Sequence, residues 1–270
     1  MNETDLIELA GNPAFISGIY NYCDRWCERC PFTSRCFLYA TEKADEELDD
    51  PEVHDVNNAK FWRKLESIFT QTHKLMAKWA EEAGLDLTSV DVQSEIAAHD
   101  LETTDAEQHE LSVSARHYAE MVQRWFEEEY AVDQIVYDDT TVEAKSSEED
   151  LDLSDAVEVI RWYQFFIAAK TFRALIGVED EPEDFASDSE ITLDAAQRDS
   201  DGSAKIALIA IDRSMSAWRV MQNSLTERAD SIIPMLVELE RLKRSTERTF
   251  PNARDFIRPG FDEVVSEFAS

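Results

Sequence analysis

Asn57-Asn58-Ala59-Lys60-Phe61-Trp62-Arg63-Lys64-Leu65-Glu66-Ser67-Ile68-Phe69 opens the stretch that decides the fold class. Phe61, Trp62, Leu65, Ile68 and Phe69, continued by Leu75, Met76 and Trp79, recur at the three- and four-residue steps of one helical face. Asn57 or Asn58 suits the cap at the start, because its side-chain oxygen accepts from a free N–H of the first turn. Gly84 suits the end, where a left-handed residue closes the helix. The spacing predicts a long amphipathic helix over 57–83.

The same pattern recurs further along the chain. Helices are expected over 104–131, opened by a Thr104/Glu107 capping box, and over 154–177, from a Ser154 cap to Gly177. Two more are expected over 203–226 and 228–249, with Pro234 in the first turns of the last one or kinking it. Of the connections 85–103, 138–153 and 178–202, the last two are strongly acidic and lack apolar periodicity, and the first suggests a short helix around Val92–His99. The expected fold class is mainly α: an antiparallel bundle of about five long helices behind a four-cysteine N-terminal segment. The expected domains are the four-cysteine segment at 1–41, an acidic linker at 42–56, the bundle at 57–250 and a tail at 251–270. The tail is expected to fold back with Phe256, Ile257 and Phe261 on the bundle. The linker holds eight Asp and Glu in the fourteen positions 42–55.

Composition narrows the function classes. The 270 residues carry 26 Lys and Arg against 58 Asp and Glu, a net charge of -32 that repels phosphate backbones. No nucleic-acid partner is expected. No membrane partner is expected either, since no run of 18 apolar residues and no Lys/Arg-rich amphipathic surface helix is read from the sequence. The acidic start Met1–Asp5 is unlike a basic secretory leader, and the expected location is the cytoplasm. An acidic surface points to a basic protein as partner. Six Gly and seven Pro are too few for an all-β fold or a Gly-rich nucleotide cradle. No phosphate-binding loop, nucleophile elbow or H-E-x-x-H motif is present.

All four cysteines fall in Cys23-Asp24-Arg25-Trp26-Cys27-Glu28-Arg29-Cys30-Pro31-Phe32-Thr33-Ser34-Arg35-Cys36, spaced C-x3-C-x2-C-x5-C. Four thiolates on one short segment suit a [4Fe–4S] cluster, as in compact ferredoxin runs. Cys23, Cys27 and Cys30 have the C-x3-C-x2-C spacing found in radical SAM enzymes, and Cys27, Cys30 and Cys36 resemble the C-x2-C-x5-C spacing of auxiliary clusters. The barrel and Gly-rich strands of those enzymes have no counterpart in this Gly-poor helical pattern. A fourth cysteine closes the iron they leave open, which favours electron transfer or a structural cluster. The alternative is structural Zn2+ held by the same four thiolates, in a non-enzymatic helical adaptor for a basic protein. Two disulfides are the third reading, disfavoured without a secretory context. Arg25, Arg29 and Arg35 are placed to offset thiolate charge; Trp26, Phe32 and Phe37 are expected either to dock the N-terminal segment on the bundle or to shield the site from water.

A second site is read in the bundle. Glu66 with His73, and Glu110 with His117, are E-x6-H pairs, each on one helical face. With Glu158 and Asp212 they resemble the ligand sets of di-iron carboxylate proteins. Those proteins use E-x-x-H, whereas a step of seven separates the pair by about 10.5 Å of rise.

Overall fold

In the computed structural model the described residues are 9, 11–44, 50–53, 55, 58–86, 89–130, 148–179 and 189–262. They form seven α-helices: α1 Phe37–Ala44, α2 Ala59–Ala83, α3 Val90–Gln108, α4 Glu110–Trp125, α5 Glu148–Glu179, α6 Ser189–Ser224 and α7 Ala229–Thr249. Short 3₁₀ turns and one π-helical turn, Phe126–Tyr130, complete the regular structure, and no strand occurs among the described residues. None of these helices is long and apolar enough to cross a membrane. The chain divides into two compact units, Met1–Leu101 with Pro259–Ser270 and Glu102–Arg258, so that the division falls inside α3.

The second unit is a four-helix bundle. Helix α4 packs on α5 and α7, α5 on α6, and α6 on α7, which closes a ring. Neighbours run antiparallel. On α4 and α5, Gln164 donates to the carbonyl of Ala119 at 2.9 Å while Arg161 lies 4.4 Å over the Phe126 ring. On α5 and α6, Arg173 meets Asp199 while Tyr163 meets Arg213. The turn Thr226–Arg228 is short enough only for antiparallel neighbours in α6 and α7. Helix α6 turns small residues inward: Ser200, Gly202, Ser203, Ala204, Ala207, Ala210 and Ser214 are all buried. Without bulky side chains along this stripe the α5 backbone comes close, and α5 and α6 make the most extensive helix pair among the described residues. Large residues fill the rest of the core. Trp218, Tyr118, Tyr163, Ile160 and Leu239 are each fully buried. Phe250 and Ala253, just after α7, complete a cluster with Leu111, Leu175 and Leu208.

Several boundaries differ from the sequence expectation. The helix expected over 104–131 is split at His109, whose Nδ1 accepts from the Leu111 N–H at 3.2 Å and caps α4. Thr104 and Glu107, read as a capping box, therefore lie inside α3. Helix α5 begins at Glu148, so Ser154 is internal and not a cap. Helix α6 begins at Ser189, well before position 203. The added stretches, 148–153 and 189–202, are mostly polar and carry no apolar stripe for periodicity to reveal. Helix α7 runs from Ala229 to Thr249 with Pro234 inside it, at an exposed position.

In the first unit, α2 keeps both expected ends. Asn58 accepts from the Lys60 N–H at 2.9 Å, and Gly84 closes the helix at φ 69°. Its apolar face is not core, contrary to the expectation of a five-helix bundle: Trp62, Phe69 and Trp79 are 57%, 58% and 63% exposed. Helix α2 packs on the 3₁₀ turn Pro51–Val53, and Lys60 pairs with Asp50 at 2.9 Å beside that turn.

Candidate metal centre

The segment that carries the cysteines is built of turns. Three 3₁₀ turns, Ile19–Asn21, Cys27–Arg29 and Thr33–Arg35, lead into α1. Cys23 follows the first, Cys27 opens the second, and Cys30 and Cys36 close the second and third in extended conformation. Such turns reverse the chain every few residues, and cysteines at steps of four, three and six all line one cavity.

Local contacts hold this path. Asp24 Oδ1 accepts from the Trp26 N–H at 3.2 Å. Between them Arg25 takes the left-handed conformation, φ 59°, that a side chain rarely adopts, and its guanidinium bonds Glu42 of α1 at 2.9 Å. The Ile16 N–H donates to the Arg35 carbonyl at 3.0 Å. Ile19 and Trp26 are the buried anchors of the segment.

The four cysteines line one small cavity of about 20 Å³. Tyr20, Trp26, Phe32, Tyr39 and Phe261 supply its aromatic walls. All four cysteines are half-buried free thiols with no disulfide among them. The Phe32 N–H points at Cys30 Sγ at 3.4 Å, the hydrogen bond that stabilises a thiolate, and the Cys23 thiol donates to the Tyr20 carbonyl at 3.6 Å. Burial pushes the Cys27 thiol pKa up, with Glu42, Cys23 and Cys30 acting in the same direction and Arg25 against them. Of the three interleaved arginines only Arg25 lines the cavity; Arg29 stacks 3.9 Å over Trp26, and Arg35 donates to the Ala14 carbonyl. Of the three expected shielding rings, Trp26 and Phe32 line the cavity, whereas Phe37 packs on Phe15 and Tyr20 beside it. Tyr20, Tyr39 and Phe261 were not singled out for this site from sequence, because nothing local to the cysteines marks them.

The expected second site has a different outcome. Glu66 and His73 lie on the exposed side of α2, beside a shallow groove with Trp62 and Phe69. Glu110 and His117 on α4 and Glu158 on α5 are exposed as well, so they do not point into the bundle. A step of seven keeps a pair on one face but does not say which face turns inward. Asp212 is engaged by two cations, Lys243 and Arg254, at 2.8 Å each. Among the described residues no three His, Cys, Asp or Glu side chains are grouped so as to hold a metal ion as they stand.

Asp212 acts instead as a link between α6, α7 and the turn Ala253–Asp255, with Arg254 reaching on to Glu247 at 2.9 Å. Burial pushes its carboxyl pKa up, but the bonds from Lys243 and Arg254 outweigh this and hold it below the ordinary carboxylate range. A depressed folded-state pKa stabilises above the unfolded value and loses that contribution as pH falls through the folded value. The group is about one-third exposed, so solvent screening limits the effect. We expect Asp212→Asn to melt below wild type at about pH 7, and the gap to close toward about pH 3. Thermal unfolding of both proteins across this range checks it; a constant gap would show that the carboxylate charge is not what matters.

Fold and site together define a mainly helical protein with a four-cysteine cavity. The chain matches no protein-family model, no curated protein and no solved structure.

Proposed function

We propose that this is an iron–sulfur protein whose [4Fe–4S] cluster is ligated by Cys23, Cys27, Cys30 and Cys36, with a redox or structural role. The observation that carries the reading is that all four cysteines of the chain line the same aromatic-walled cavity. A single zinc needs four sulfurs drawn to about 3.8 Å of one another, from tetrahedral bonds of ~2.3 Å. A cubane takes one thiolate at each of four corners, and four cysteines close together in sequence and lining one cavity supply that number. The Phe32 N–H donates to Cys30 Sγ, and Arg25 supplies a cation on the cavity wall. When bound, the cluster supplies a one-electron couple tuned by hydrogen bonds to sulfur and by burial. A thiol for each corner leaves no iron open to a substrate, so the reading is a carrier or a staple and not a catalyst of substrate chemistry.

The test is a visible spectrum of protein purified without oxygen. A broad band near ~400 nm that bleaches with dithionite and returns on reoxidation is expected for a redox cluster. A featureless spectrum from protein carrying one zinc per chain overturns the reading and leaves a zinc-stapled helical protein in its place.

A further inference from the structure

The cavity that holds the four cysteines has one wall from the other end of the chain. Phe261 lines it, and the Phe261 ring meets Phe32 edge-on, with centroids 5.0 Å apart and planes at 81°. Phe32 is also the residue whose N–H points at Cys30 Sγ. Phe261 thus packs on the residue that polarises one of the thiols.

The approach of this strand of chain is specific. Gly260 is left-handed at φ 76°, which disfavours any side chain there. A Cβ at Gly260 would lie 2.8 Å from Ile16 Cδ1 and 3.1 Å from Ile19 Cδ1. Ile19 is itself buried and lines the cysteine cavity, while Ile16 is tied by its N–H to the Arg35 carbonyl, next to Cys36. The glycine therefore lets the chain lie directly on the cysteine segment and delivers Phe261 to the cavity.

We infer that Phe261, seated by Gly260, is a positioning residue of the four-cysteine site: it closes one wall, keeps solvent from the thiols and makes their protection depend on the chain's C-terminal segment. The inference rests on reading the four cysteines as one site. It extends that reading by making retention of the cluster depend on this docking, so that release of residues 259–262 exposes the thiols to oxidant or to a cluster acceptor.

The test uses the full-length, reduced, metal-free protein and a maleimide as probe. Initial labelling rates of the four thiols are compared for wild type, Phe261→Ala, Phe261→Leu and Gly260→Val, with circular dichroism to follow the helices. Access to a protected thiol follows the population of the open form, so Phe261→Ala and Gly260→Val are expected to label roughly tenfold faster. Phe261→Leu keeps an apolar wall and is expected to stay close to wild type. Equal rates in wild type and Phe261→Ala overturn the inference, and so does Phe261→Leu labelling as fast as Phe261→Ala. The cluster reading is judged separately: wild-type protein that binds no iron while Phe261 still protects its thiols ends that reading and leaves this inference standing.

Discussion

Trp218→Ala lowers the unfolding free energy by about 3–5 kcal/mol, the cost of truncating a fully buried tryptophan. Trp218 lies at the centre of the four-helix bundle and has no exposed surface. Its ring meets Trp125 edge-on at 5.1 Å and tilts against Phe126 at 6.1 Å, so α4 and α6 share one aromatic cluster. Its Nε1–H donates to the Tyr118 hydroxyl at 3.0 Å, and both groups are buried. Burial keeps the Tyr118 phenol protonated far above its ordinary range, so the pair stays neutral and needs no ion to satisfy it. Truncation removes both the packing and the hydrogen bond, and the neighbouring rings are too rigid to fill the space. Tyr118→Phe removes the bond alone and is expected to cost less, about 1–3 kcal/mol for an unsatisfied buried donor. Urea unfolding of the full chain, followed by helical circular dichroism, measures both. A Trp218→Ala loss below about 1 kcal/mol would mean that the aromatic cluster is not the centre of the core.

If the four cysteines hold a [4Fe–4S] cluster as proposed, Cys30→Ser abolishes iron binding. A serine hydroxyl stays protonated where a thiol ionises, so it replaces a soft anionic ligand by a neutral hard one. Cys30 closes the turn Cys27–Arg29 and takes the Phe32 N–H at its sulfur. The segment around it is made of turns and buries few side chains, Ile19 and Trp26 chief among them. A bound cluster would therefore also contribute to the folding of this segment. We expect iron at background level in Cys30→Ser purified without oxygen, together with faster proteolysis within residues 11–44 and an unchanged bundle. Undiminished iron in this variant would remove Cys30 from the ligand set and with it the four-thiolate account.

What was legible in the sequence follows what each signal measures. Asn58 and Gly84 act through their own backbone neighbours, so both ends of α2 were readable. The apolar stripe between them showed that one side is apolar but not what meets it, and Trp62, Phe69 and Trp79 face outward. The early start of α6 was hidden because residues 189–202 are mostly polar and show no apolar periodicity. His109 broke an apparently continuous pattern because a ring nitrogen can cap a helix, a role the apolar periodicity does not register. The cysteine spacing marked four residues that line one cavity, but spacing alone does not say what the cavity holds. Phe261 was not legible as part of it, since only tertiary structure brings positions 32 and 261 together. The E-x6-H pairs showed the opposite failure. Glu110 and His117 share a face, but in a chain of net charge -32 a shared polar face is most often a solvated one.

The most direct test of the central claim is an elemental count of iron and zinc on wild-type protein purified without oxygen. The account predicts about four irons per chain and no stoichiometric zinc. One zinc per chain and no iron would contradict it.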